Sequence, residues 1–155
     1  MQELKYHELL QDEINANTDF NRLELVKKLK KSYDLAKNSN LVISLHDEAL
    51  IAEYQEAIDV VTIFLEKSDD EERNSSLFFD RITLRGDLYF IKGDYNQAIE
   101  DYRNAIVYYQ NRDYLKDLVR TLKKRGKCYE ALQEEAKAKA DFEEAGRLRS
   151  NNIAQ

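Results

Sequence analysis

Residues 82–105 read ITLRGDLYFIKGDYNQAIEDYRNA, and residues 122–145 read LKKRGKCYEALQEEAKAKADFEEA. The second stretch repeats the first at a constant offset of forty positions, without a gap. The repeated residues include an arginine, a glycine, an aspartate, aromatic residues and alanines: Arg85/Arg125, Gly86/Gly126, Tyr89/Tyr129, Ala98/Ala138, Asp101/Asp141, Tyr102/Phe142 and Ala105/Ala145. A fixed period of about 20–50 residues is typical of repeat proteins, in which each unit buries its apolar face against its neighbours. Because stacked repeats build surfaces, the pattern favours a binding function.

Apolar residues recur at helical spacing on both sides of a predicted turn at Lys92-Gly93-Asp94. Gly93 suits a left-handed helix C-cap, and Asp94 with Gln97 suits a capping-box start for the next helix. The pattern predicts helices over 79–91 and 94–110 in one repeat, and over 114–132 and 134–149 in the next.

Upstream, a weaker copy aligns at an offset of forty-one, with Tyr54 on Tyr95 and Ala57 on Ala98. The sequence therefore predicts a degenerate repeat at 39–78, a strong one at 79–112 and a good one at 113–152. The acidic stretch 68–72 either opens a helix, where carboxylates favour the positive end of the helix dipole, or forms a solvated loop. Segment 150–155 lacks an apolar pattern and is expected to fray, with 153–155 as the free tail.

Residues 1–38 do not follow the repeat. They read as two amphipathic helices, at about 3–15 and 20–37, and predict an N-terminal helical hairpin that packs on the first repeat. This hairpin either caps the groove of the repeats or occupies it.

The repeated residues resemble the tetratricopeptide repeat (TPR). That family places a small residue and a tyrosine in its first helix, a glycine and an aromatic at the turn, and alanine, aromatic and alanine in its second helix. The matching positions are Gly86, Tyr89, Gly93, Tyr95, Ala98, Tyr102 and Ala105, and then Gly126, Tyr129, Ala138, Phe142 and Ala145. The resemblance covers about residues 38–152. This sequence departs from the family in its longer period, about 40 rather than 34 residues, and in Arg85 and Arg125, where the family is usually apolar. These arginines either reach solvent or bind acidic groups between repeats.

The resemblance implies a groove on the concave face, lined by the first helix of each repeat, that binds a peptide or a partner helix. The expected contact residues are Leu50, Asp87, Phe90, Ile91, Arg120, Lys123, Lys124 and Lys127. The groove is expected to be apolar at one end and basic at the other. Cationic clusters recognise carboxylates or phosphates, whereas charge runs are more often solvated helix faces. The family's clamp for chaperone C-termini is incomplete here, because Val42, His46 and Leu84 stand where it uses lysine and asparagines.

Composition narrows the classes of function. The chain has 155 residues, no proline, four glycines and a net charge of −6, and its pI is about 5.1, which disfavours nonspecific nucleic-acid binding. The single cysteine, Cys128, fits a reducing compartment, and no apolar run is long enough for a membrane span. We therefore expect a cytoplasmic protein without a cofactor or metal, and no enzyme activity.

Together these features predict an all-α protein of about eight helices, arranged as a right-handed superhelical stack of antiparallel hairpins. The predicted function is a scaffold or adaptor that binds a protein or peptide, and acidic groups of the partner are one expected means of recognition. The alternatives are a small secretion-type chaperone and a peptide-responsive regulatory sensor. Self-association through the exposed ends of the stack is a further alternative.

Overall fold

The computed structural model describes residues 18–38 and 48–153, and within these segments every regular element is helical. The helices are α1 (Thr18–Asn38), α2 (Glu48–Lys67), α3 (Ser76–Lys92), α4 (Tyr95–Asn111), α5 (Leu115–Ala131) and α6 (Glu135–Ile153). A short 3₁₀ turn, Glu72–Asn74, precedes α3. The all-α prediction is confirmed for the described segments. The second predicted N-terminal helix corresponds to α1, and the first, at 3–15, lies outside the described residues.

Each helix from α1 to α5 packs against the next described helix. Two further contacts connect elements that are not neighbours in sequence: α1 also touches α3, and α3 touches α5. One core cluster runs through the helices, with Val61, Leu88 and Ala145 fully enclosed. The apolar face of each helix is thus buried mainly by the helices before and after it.

The turns that end α3, α4 and α5 share one geometry. Gly93, Asp113 and Gln133 are spaced by twenty residues and have positive φ angles of 94°, 56° and 61°. In each turn, the N–H of the following residue donates to a carbonyl in the last helical turn, as Asp94 N does to Tyr89 O at 2.8 Å. These bonds satisfy carbonyls that a helix end leaves free. The left-handed C-cap predicted for Gly93 is confirmed.

Three local predictions differ from the structure. The carboxylate of Asp94 makes no capping bond and instead lies 3.1 Å from Lys92 Nζ, so the capping box is wrong. Helix α3 begins at Ser76, earlier than predicted, because Ser75 Oγ accepts a bond from Phe78 N. Helix α6 continues to Ile153, so residues 150–153 do not fray as expected.

The acidic segment 68–72 forms the loop alternative, in which Asp69 Oδ1 accepts a bond from Glu72 N at 2.8 Å. The upstream copy of the repeat is less regular than its alignment implies. The offset of forty-one aligns residues 51–53 with the turn at Lys92-Gly93-Asp94, but α2 is continuous from Glu48 to Lys67. Leu50, a predicted groove residue, lies in the first turn of α2, and its side chain is outside the described residues.

Candidate functional site

Close contact between helices begins at the two repeated glycines. A methyl group on Gly86 would lie 2.7 Å from the ring of Tyr102, and one on Gly126 would lie 2.7 Å from the ring of Phe142. The absent side chain therefore lets α3 pack tightly on α4, and α5 on α6. This contact uses one face of α3 and α5 and leaves another face of each helix to line an open surface.

The repeated arginines hold the same hairpins together. Arg85 Nε and Nη2 donate to the two oxygens of Asp101 at 2.9 and 2.7 Å, and Arg125 makes the equivalent bonds to Asp141 at 2.8 and 2.7 Å. Arg85 also donates to Thr62 Oγ1 of α2 at 3.2 Å. The two arginines therefore bind carboxylates within their own hairpins, and their main contacts do not connect one repeat to the next.

The electrostatics of the two arginine–aspartate pairs are those of structural ion pairs. Burial raises the pKa of Asp101, while the hydrogen bonds from Arg85 oppose that rise. The hydrogen bonds to Asp141 raise the pKa of Arg125. Two-point bonding fixes the geometry between facing helices. Sequence reasoning missed these pairs, although the signal was present: an arginine precedes an aspartate by sixteen residues in both copies.

The open faces of α3 and α5 border a cleft of about 760 Å³. Residues from α1, α3, α4 and α5 line it: Tyr33, Ala36, Asp80, Thr83, Leu84, Asp87, Phe90, Ile91, Tyr102, Asp117, Arg120, Lys124 and Lys127. Six of the predicted groove residues are among them: Asp87, Phe90, Ile91, Arg120, Lys124 and Lys127. Lys123 is exposed on α5 but does not line the cleft.

The charge of the cleft differs from the prediction of one apolar and one basic end. Its lining holds three carboxylates, Asp80, Asp87 and Asp117, as well as three cations, Arg120, Lys124 and Lys127. The expected basic end is therefore partly neutralised by acidic side chains of the cleft itself.

A polar network forms part of the cleft wall around Asp87. Its two oxygens accept bonds from Tyr102 Oη of α4 at 2.5 Å and from Lys124 Nζ of α5 at 2.9 Å. Burial, followed by the charge of Asp87, raises the pKa of Tyr102, so the phenol stays protonated and keeps donating. Lys124, predicted as a ligand contact, thus already has a partner that joins α3 to α5.

The other part of the cleft centres on Asp80 and Asp117. Asp80 Oδ1 accepts a hydrogen bond from Tyr109 Oη at 3.0 Å. Asp117 Oδ1 lies 3.8 Å from Arg120 Nη1. Burial is the main cause that raises the pKa of Tyr109, and the charges of both carboxylates raise it further. Helix α1 contributes Tyr33 here, a residue that sequence reasoning missed because α1 does not carry the repeat pattern.

Helix α1 therefore borders the groove without filling it. Tyr33 and Ala36 stand on one wall, and the cleft remains open beside them. The alternative that the N-terminal region occupies the groove does not hold for α1; for residues 1–17 it lies outside the described segments.

No protein-family model matches the chain, and neither the search of curated proteins nor that of solved structures found a significant match. Across residues 18–38 and 48–153, no helix has both the length and the apolar character to cross a membrane.

Proposed function

We propose that this chain is a protein-interaction module that binds an extended peptide in the cleft between α3 and α5. In this proposal the helices form a right-handed, TPR-like superhelical stack in the cytoplasm. A repeat architecture is supported by the similar left-handed turns after α3, α4 and α5, and by the glycine and arginine contacts that recur in two hairpins.

One observation carries the proposal. The cleft is lined by pairs of residues that occupy equivalent positions in the two repeats: Asp80 with Arg120, Leu84 with Lys124, and Asp87 with Lys127. The same helix face is thus presented twice, side by side, while other faces bind the hairpin partner. A continuous surface of this kind suits a ligand that runs along both helices.

The size of the cleft fits a short extended segment. Its lining on α3 runs from Asp80 to Ile91, which spans about 16 Å at 1.5 Å per helical residue. An extended peptide covers that length with about five residues at 3.3 Å each. Helix packing and the Asp87 network fix α3 and α5 relative to each other before a ligand binds. The conformational entropy lost on binding is therefore mainly that of the peptide.

The buried thiol supports binding over covalent chemistry. Cys128 has no exposed surface, and burial raises its pKa to about 12. A thiol with that pKa is protonated at neutral pH and is a poor nucleophile.

Panning the full chain against a phage library of random peptides, about ten residues long, tests the proposal. The variant Thr83→Trp places a large side chain in the cleft, and Asn104→Trp puts the same side chain on the exposed face of α4 as a control. We expect enriched peptides to bind the wild type and Asn104→Trp, and to lose binding to Thr83→Trp, with both variants folded by circular dichroism. Failure to enrich any peptide, or equal binding to Thr83→Trp, would contradict a peptide-binding cleft.

A further inference from the structure

The cleft separates its net charge along its length. One part of the lining holds Asp80, Asp117 and Arg120, which leaves one net negative charge. The other part holds Asp87, Lys124 and Lys127, which leaves one net positive charge. Lys124 is already bonded to Asp87, whereas Lys127 makes no ion pair within the described residues. At the positive end of the cleft, Lys127 is therefore the cation that is free to meet a ligand.

The distance between these ends follows from helix geometry. Asp117 and Lys127 lie ten residues apart on α5, which corresponds to about 15 Å. An extended peptide spans this distance in four to five residues, and residues four apart point to the same side of an extended chain. Two oppositely charged peptide side chains at that spacing reach both ends together.

Apolar surface continues beyond the positive end. Phe90 and Ile91 lie in the turn of α3 that follows Asp87, and both are half-buried in the cleft lining. An apolar peptide residue placed beyond the acidic one reaches this surface, and burying it contributes to affinity.

We propose that the cleft selects an extended zwitterionic peptide, with a basic side chain at Asp80 and Asp117, an acidic group at Lys127 and an apolar residue at Phe90 and Ile91. This inference rests on the proposed peptide-binding function and adds the chemistry of the ligand. The acidic residue lies between the basic and the apolar residue whichever way the peptide backbone runs.

Fluorescence anisotropy with four defined peptides tests the inference. Each peptide has about nine residues and carries two test sites that are four residues apart. The residues at these sites are Lys and Asp, two Lys, two Asp or two Gln. A leucine follows two positions after the second test site in all four peptides. We expect the full chain to bind Lys/Asp about three- to tenfold more tightly than either like-charged peptide. The preference is expected to shrink at high salt, because the charges are solvent-accessible.

Charge reversal in the protein gives the sharper result. We expect Asp117→Lys to prefer Asp/Asp, and Lys127→Glu to prefer Lys/Lys, since each variant makes both ends of the cleft alike in sign. The controls Glu100→Lys and Lys139→Glu make the same reversals at exposed positions outside the cleft and should keep the wild-type order.

The outcomes separate the two proposals. Equal binding of all four peptides, or no change of preference in the two reversal variants, would overturn the charge selection while leaving a peptide-binding cleft. Binding of none of the four by a folded protein, together with panning that enriches no peptide, would overturn both.

Discussion

At the scale of single residues, the two repeated glycines meet aromatic rings with different freedom to move. Tyr102 is 1% exposed, and its hydroxyl is bonded to Asp87, so its ring cannot shift away from a methyl group on Gly86. Phe142 faces Gly126 at the same distance but is half-exposed at the end of the chain of helices. The same substitution therefore has different consequences in the two repeats.

We expect Gly86→Ala to lower the free energy of unfolding by about 1–2 kcal/mol, because overpacking outweighs the helix propensity that alanine adds. For Gly126→Ala we expect a change within about 0.5 kcal/mol of zero, since the ring can give way while the propensity gain remains. Urea unfolding followed by circular dichroism measures both. Equal losses in the two variants would show that the Tyr102 ring is no more constrained than that of Phe142.

The pair of Arg85 and Asp101 defines a second prediction at this scale. The side chain of Asp101 is 4% exposed, so Asp101→Asn removes a charge on which the guanidinium depends. We expect a loss of about 2–3 kcal/mol in the free energy of unfolding. The double variant Arg85→Met/Asp101→Leu is expected to recover most of it, because an apolar pair can replace a buried ion pair. A double variant less stable than Asp101→Asn would mean that the ion pair contributes more than its desolvation costs.

At the scale of elements, the repeat pattern predicts α3 to α6 well because apolar spacing decides where a helix lies. Its ends are harder to predict, since they depend on single capping bonds. Ser75 begins α3 early, and the carboxylate of Asp94 binds Lys92 in place of a backbone N–H. Helix α2 shows the opposite limit. The alignment at an offset of forty-one sets residues 51–53 against the turn of the strong repeat, yet no residue there breaks a helix, because Ala52 stands where the strong repeat has a glycine.

The shared turn geometry makes a prediction for elements. Gln133 takes the left-handed conformation that Gly93 adopts without a Cβ penalty. We expect Gln133→Gly to raise the free energy of unfolding by about 0.5–1 kcal/mol. Ala140→Gly, in the exposed interior of α6, is the control and should lower it by about 1 kcal/mol. Thermal unfolding of both variants checks this, and a destabilised Gln133→Gly would show that the glutamine side chain stabilises the turn.

At the scale of the whole molecule, six residues of α3 and α5 that register placed in the groove line the cleft, because many equivalent positions in the two repeats face the same way, whereas Lys123 lies outside it. The balance of charge in the cleft was not predictable in this manner. It depends on which carboxylates approach which cations across helices, as Asp87 approaches Lys124, and sequence spacing does not fix such contacts. The contribution of Tyr33 depends on how α1 docks, which no repeat encodes.

The second helices of the two repeated hairpins, α4 and α6, differ in what covers them. In the hairpin of α3 and α4, which we call the middle hairpin, residues at the end of α5 cover the outer side of α4. There Cys128, Tyr129 and Leu132 pack against Ala98, Ile99 and Tyr102. The equivalent surface on the last hairpin is an open cavity of about 470 Å³. Its lining is largely charged, with aromatic and alanine positions between: Glu130, Glu135, Ala138, Lys139, Phe142 and Glu143. Charged residues at the surface where another helix would otherwise pack oppose association of copies through this end.

Replacing the charged residues around the cavity by the apolar residues of the middle hairpin tests whether these charges oppose association. We expect Glu130→Phe/Glu135→Tyr/Lys139→Ile, which copies Phe90, Tyr95 and Ile99 onto the end, to associate with rising concentration more strongly than the wild type in sedimentation velocity runs. The control Gln97→Ile/Arg103→Phe/Gln110→Tyr adds the same side chains to exposed positions of α4, and should associate less. Both variants gain the same apolar side chains, but only the first places them around the cavity. If the first variant sediments like the wild type at every concentration, Glu130, Glu135 and Lys139 do not prevent association, and the surface around this cavity is not equivalent to the surface that α5 covers on α4.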